Sequence, residues 1–119
     1  MSFSDPLVVT INSVAKTMAK INQDAYGSEY FLREALQEFR LKIRNTTYVN
    51  TAKQQVDRHN IEFTNTVYAT PTVPSLTRKA YVVYENIRSD TDAAVLQDFV
   101  GFIGFNTSAA IQKLLNYES

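Results

Sequence analysis

From Phe39 to Arg44 the chain reads FRLKIR, with apolar and cationic residues in strict alternation. Period two is the repeat of a pleated strand, whose successive side chains point to opposite faces. A helix would scatter the same residues around its circumference, so the segment demands a strand with one dry face and one wet face. Thr46, Thr47, Tyr48 and Val49 carry β propensity past it. Phe39, Leu41 and Ile43 then need a cover, while Arg40, Lys42 and Arg44 form a row whose members stand roughly 6.6 Å apart. That spacing is comparable to the spacing of phosphates along a nucleic-acid backbone.

The flanking sequence supplies a sheet around this strand. Leu7 to Ile11 is β-rich, and Asn12-Ser13 offers a turn before Val14 to Ile21, which reads as a hairpin with a short helix through AKTMAKI as its competitor. Asn22 to Ser28 holds the turn formers Asp24 and Gly27. Residues 29–39 are ambiguous, because Phe31, Leu32, Ala35, Leu36 and Phe39 have helical spacing while EYFL suits an edge strand. After a polar connection at Asn50 to Gln55, Val56 to Ala69 alternates again, and its length predicts a bend or bulge near Asn65. ATPTVPSLT, residues 69–77, holds Pro71 and Pro74 and is read as an exposed loop or arm, since each proline lacks a ladder donor. RKAYVVYENIR, 78–88, is a third strand with Lys79, Tyr81, Val83 and Glu85 on one face and Ala80, Val82, Tyr84 and Asn86 on the other. Ser89, with Asp92 three residues on, predicts a helix start, and the helix runs to about Phe105. A second helix follows Asn106-Thr107-Ser108. Strands first and helices last define an α+β domain with helices on one face of an antiparallel sheet.

The two helices carry more apolar surface than one short sheet requires. Val95, Leu96, Phe99, Val100, Phe102, Ile103 and Phe105 wrap more than half of the first helix. Exchange of helices between two chains would complete both half-cores. Gly101 and Gly104 inside this helix suit close packing and do not form a phosphate loop.

Composition narrows the chemistry. Cys is absent, which removes disulfides, thiolate nucleophiles and cysteine metal sites. Hydrophobic residues at 45% exclude disorder throughout, and no apolar run reaches membrane-spanning length. The formal net charge is zero, but its distribution is not: Arg40 to Arg88 holds eight Lys/Arg against three acids, after which Lys113 alone faces Asp90, Asp92, Asp98 and Glu118. Local distribution decides what such a surface attracts. His59, the single histidine, falls by parity on the Ile61/Phe63 side and reads as a packed, hydrogen-bonded residue rather than a general base. No catalytic residues and no metal-ligand set are assigned. The cofactor the sequence leaves room for is a calcium ion bridging subunits, drawn to carboxylates such as Asp24 with Glu29 or Asp90 with Asp92.

On the wet side of the strands, Arg40, Lys42 and Arg44 are joined by Arg58, Asn60, Lys79 and Tyr81, a basic patch with an aromatic for base stacking. Glu62 and Glu85 within it can accept hydrogen bonds from base amino groups. This pattern points to single-stranded or looped RNA.

Four stretches in order, KINQDAYGSEYFL (20–32), FRLKIRNT (39–46), RHNIEFTNTVYA (58–69) and TRKAYVVYENI (77–87), resemble the coat proteins of the small icosahedral single-stranded RNA bacteriophages, most of all those of the Caulobacter-infecting members. The likeness runs from Leu7 to the final helix. It implies one coat-protein domain over 1–119, with an N-terminal β-hairpin at 2–26, a five-stranded antiparallel sheet at 28–88 and two C-terminal helices at 89–117. It turns residues 29–36 from helix to strand and divides Val56–Ala69 into two strands. It further implies an intertwined dimer with a ten-stranded sheet, each chain sending its helices over the partner's sheet.

The resemblance implies a non-enzymatic capsid protein of the virion, assembled in the bacterial host cytoplasm into an icosahedral T=3 shell around single-stranded viral RNA, with no membrane partner. The genome face then comprises Arg40, Lys42, Arg44, Arg58, Asn60, Glu62, Thr64, Lys79, Tyr81, Val83 and Glu85. Tyr81 matches the family tyrosine that stacks on an operator-hairpin base, which implies translational repression as well, while Val83 stands where some relatives have a polar base contact. Phe39, Leu41, Ile43, Tyr84, Val95, Phe99, Phe102, Ile103, Ile111 and Leu114 are the implied dimer interface. Thr70, Pro71, Thr72, Val73, Pro74 and Ser75 are the implied loop between dimers, shorter than in relatives and without their cysteines. The rival readings are a dimeric RNA-binding regulator that forms no shell, and a small-ligand enzyme or lipid binder using the Tyr/Phe-rich surface.

Overall fold

Two residues turn the first hairpin. Asn12 and Ser13 both adopt left-handed backbone, with φ of 50° and 64°, the pair of positive angles that a two-residue turn needs to match strand twist. They join β1 (Leu7–Ile11) to β2 (Val14–Gln23), with Ile11 opposite Val14 and Leu7 opposite Met18. The hairpin reading of this segment holds over its helical competitor. The computed structural model describes residues 3–119; Met1 and Ser2, the latter placed at the start of the expected hairpin segment, lie outside the described residues.

β2 serves two partners. Its first half pairs with β1, and from Ala19 to Gln23 it pairs with β3 (Gly27–Arg33) across an irregularity between Lys20 and Asn22. β3 pairs in turn with β4 (Gln37–Val49), β4 with β5 (Gln55–Val67), and β5 with β6 (Leu76–Ile87), all antiparallel and in sequence order. Residues 29–33 are thus strand, their helical spacing overridden by ladder pairing with β4, while 34–36, also expected as strand, are corrected to the turn into β4, closed by Glu34 N–H to the Gln37 carbonyl at 2.8 Å.

The expected hairpin plus five further strands is corrected to six strands in all, with β2 shared between hairpin and sheet. The fifth strand was to come from a break in Val56–Ala69. No break occurs: Gln55 to Val67 keeps unbroken register with β4, and Val56 to Val67 with β6. Asn65, the expected bulge site, stays in line because its buried amide is bonded, Nδ2 donating to the Glu38 carbonyl at 3.1 Å and to Gln37 Oε1 at 3.2 Å.

The core lies where the hairpin meets one face of the sheet. Met18 and Tyr30 are fully buried, and Phe39, Leu41 and Ile43 join them, with Leu7, Val9, Ile11, Leu32, Ile61 and Phe63 packed around. Tyr30 Oη donates to the Ser4 carbonyl at 2.9 Å, tying the N-terminal segment down. Lys16 lies over the Phe39 ring and pairs with Glu34 at 2.9 Å.

The helices are α1 (Asp92–Phe105) and α2 (Ser108–Leu115). The expected cap at Ser89 is corrected to Thr91, which has extended backbone and makes no side-chain cap bond. Asp90 instead spends its carboxylate on the Thr91 N–H at 2.8 Å, so the chain turns before the helix can start. Thr107 caps α2, its Oγ1 accepting from Ala110 N. Neither helix buries a single residue. Phe99 against Tyr84, ring centroids 4.7 Å apart, is the aromatic contact between α1 and the sheet. No helix among the described residues is long and apolar enough by itself to cross a membrane.

Candidate nucleic-acid interface

Strand parity and register sort the sheet into two faces. On one lie Phe39, Leu41 and Ile43, with Phe63 and Ile61 opposite them on β5 and Ala80 and Val82 opposite those on β6. The other face is built in rows that run across the strands. Arg40, Thr64 and Lys79 form one row; Lys42, Glu62 and Tyr81 the next; then Arg44, Asn60 and Val83; then Thr46, Arg58 and Glu85. All eleven residues expected on a genome face therefore share one face of three adjacent strands.

β3 widens this face with residues the sequence reading omitted. Glu29 lies opposite Lys42, Phe31 opposite Arg40, and Arg33 opposite Glu38. The Arg40 guanidinium stacks over the Phe31 ring, 4.9 Å from its centroid, and Arg33 lies 5.5 Å from the same ring. Parity would have supplied these three once SEYFLR was taken as a strand.

The cations of this face are unequal. Arg40 pairs with Glu29 and approaches Glu38 at 3.9 Å. Lys79 donates to Glu62 across 2.5 Å, and that hydrogen bond pushes the ammonium pKa up. Arg58 lies 3.4 Å from Glu85, whose other oxygen accepts from Tyr48 Oη at 3.2 Å. Desolvation, with the Glu85 charge behind it, pushes the Tyr48 phenol up. Lys42 and Arg44 are exposed and have no ion pair among the described residues. Tyr81 is 66% exposed, its ring open to stacking. Asn60 Oδ1 is buried without a hydrogen-bond partner.

The other expected residues are distributed as follows. Phe39, Leu41 and Ile43 are covered by the chain's own hairpin rather than left open for a partner. Val95, Phe99, Phe102, Ile103, Ile111 and Leu114 sit on helices with no buried position, and Phe102 is 58% exposed. Thr70 to Ser75 form an exposed loop closed by Thr70 N–H to the Val73 carbonyl at 2.8 Å. His59 lies on the apolar-face side, Nδ1 2.7 Å from Asn45 Oδ1 and Nε2 3.2 Å from Asn86 Oδ1, a bridge across three strands. Among the described residues no group of three or more His, Cys, Asp or Glu side chains is gathered for a metal ion.

A single sheet with a charged face, an apolar face and helices left unpacked is the form of a structural subunit. A family model of the phage phiCb5 coat protein matches residues 4–87. The chain belongs to this coat-protein family; it is a bacteriophage capsid protein, a component of the virion, and not an enzyme. Among solved structures, the virus-like particle of bacteriophage ESE058 shares the fold, with a TM-score of 0.67 at 16% identity over 94% of each chain. That likeness takes in the C-terminal helices, which lie beyond the family match. No curated protein sequence matches the chain.

Proposed function

We propose that this capsid protein dimerises by exchanging helices, assembles into an icosahedral T=3 shell in the cytoplasm of its bacterial host, and packages single-stranded viral RNA against its charged face. The observation that supports the RNA half is the segregation of eleven residues, ten of them polar, charged or aromatic, on one face of β4, β5 and β6. Arg44 and Lys42 offer charge to phosphates, and Tyr81 offers a ring to an unpaired base. An RNA operator hairpin would use the same face, with Val83 giving an apolar contact beside Tyr81.

The dimer half draws on what the chain leaves uncovered. Its accessible surface is 9095 Å², against about 6,500 Å² for a packed monomer of this mass. Its radius of gyration is 17.2 Å, against about 13.5 Å for a packed chain of this length. The partner's helices would lie over the strip of Phe63, Ala80 and Val82 beside the hairpin. The open edge of β6 would pair with its counterpart, removing an edge that otherwise invites aggregation. The loop from Thr70 to Ser75 would then meet its neighbours between dimers, and any bridging calcium would draw carboxylates from more than one chain.

Negative-stain microscopy of the expressed protein tests the assembly. Closed particles that retain RNA are expected. Dimers alone under shell-forming conditions would favour the regulatory reading and overturn the capsid mechanism.

A further inference from the structure

The rows of the charged face differ in what their carboxylates do. Lys42 stands between Glu29 and Glu62, yet both acids turn diagonally, Glu29 to Arg40 and Glu62 to Lys79. Arg58 and Glu85 are direct cross-strand neighbours and pair with each other. The row of Arg44 holds no acid: its members are Gly27, Arg44, Asn60 and Val83. Gly27 has no side chain to fence the arginine, and Asn60 and Val83 bring no charge.

Resting on the RNA-packaging reading, we infer that RNA engages this face at Arg44 and its neighbour Lys42, and that Arg40, Arg58 and Lys79 are bound to the face's own carboxylates. Exposed ion pairs are individually weak, so pair strength is not what sets these three aside. The carboxylate that remains when a pair opens is what does so, since it stays beside the incoming phosphate and repels it. At Arg44 a phosphate meets a cation with no acid in its row.

The test is a salt series on the full-length protein with a fluorescently labelled, mixed-sequence single-stranded RNA. Arg44→Gln and Lys42→Gln are each expected to flatten the slope of log affinity against log salt by about 0.7. Removing whole pairs, Lys79→Gln with Glu62→Gln or Arg58→Gln with Glu85→Gln, keeps net charge constant and is expected to leave the slope unchanged. A pair deletion that flattens the slope as much as Arg44→Gln would overturn the inference while leaving the RNA face intact. If Arg44→Gln and Lys42→Gln together change nothing, the RNA reading of the face itself fails. Circular dichroism of each variant confirms that the sheet is retained, and all six substituted side chains lie on the wet face, away from the core.

Discussion

At Gly27 a single missing side chain holds two strands together. A Cβ there would stand 2.6 Å from the Ile43 carbonyl oxygen on β4, backbone that cannot swing aside. Gly27→Ala is expected to destabilise the chain by roughly 1–3 kcal/mol, read as a lower urea midpoint. Ser13 presents the opposite case, a side chain where glycine would be easier, because its φ is 64°. Ser13→Gly is expected to raise stability by about 0.5 kcal/mol, the relief of left-handed strain less the added freedom of the unfolded chain. Sequence reading reached these positions unequally. It placed the turn at Asn12-Ser13 from local chemistry, but took Gly27 for a turn former, because the carbonyl that excludes a Cβ comes from Ile43, sixteen residues away, by register. His59 was similar: parity gave its face, and only register could bring Asn45 and Asn86 to its two nitrogens.

The element that decides the fold of one chain is the hairpin laid over β3, β4 and β5. Phe39 stacks on Phe63 with centroids 6.0 Å apart beneath it, so Phe39→Ala is expected to cost about 3–5 kcal/mol and to unfold the chain in mild denaturant. The ion pair of Lys16 on β2 with Glu34 beyond β3 pins the hairpin at one point. Hydrogen bonds from Lys16 first, then Gln37, hold the Glu34 carboxyl below its ordinary range. The folded pKa is the lower one, so this contribution is present above the ordinary carboxylate pKa and is lost as pH falls through the lowered value. Protection factors for hydrogen exchange in β1 and β2, which correct for the slower intrinsic exchange at low pH, should therefore fall in acid, and Glu34→Gln should remove that part of the pH response. The residues of β4 were legible because period two runs unbroken there. Those of β3 were not, because Phe31, Leu32, Ala35 and Leu36 satisfy a helical stripe equally well until pairing with β4 selects the strand. β5 was misdivided for the converse reason. Its length invites a break, and what keeps it straight is two full-length neighbours that no local signal announces.

For the whole molecule the governing quantity is surface left bare. The excess over a packed monomer is about 2,600 Å² per chain, near the upper range of obligate interfaces once two chains are counted. α1 and α2 contribute to it: Leu96, Phe102, Phe105, Leu114 and Leu115 are all exposed, and nothing stands within 4 Å of where a Cβ would sit on Gly101 or Gly104. The close packing those glycines suit is therefore not met inside one chain. Hydrophobic positions that no intrachain element covers act through association, and their loss is read in oligomeric state before it is read in folding. Phe102→Asp and Leu114→Asp are each expected to leave the six-stranded sheet formed and to abolish the dimer, with sedimentation giving a monomer and particles disappearing from micrographs. Wild-type melting temperature should rise with protein concentration, and that of the Asp variants should not. A Phe102→Asp chain that still sediments as a dimer would mean that the β6 edge alone joins the subunits, and helix exchange would be abandoned.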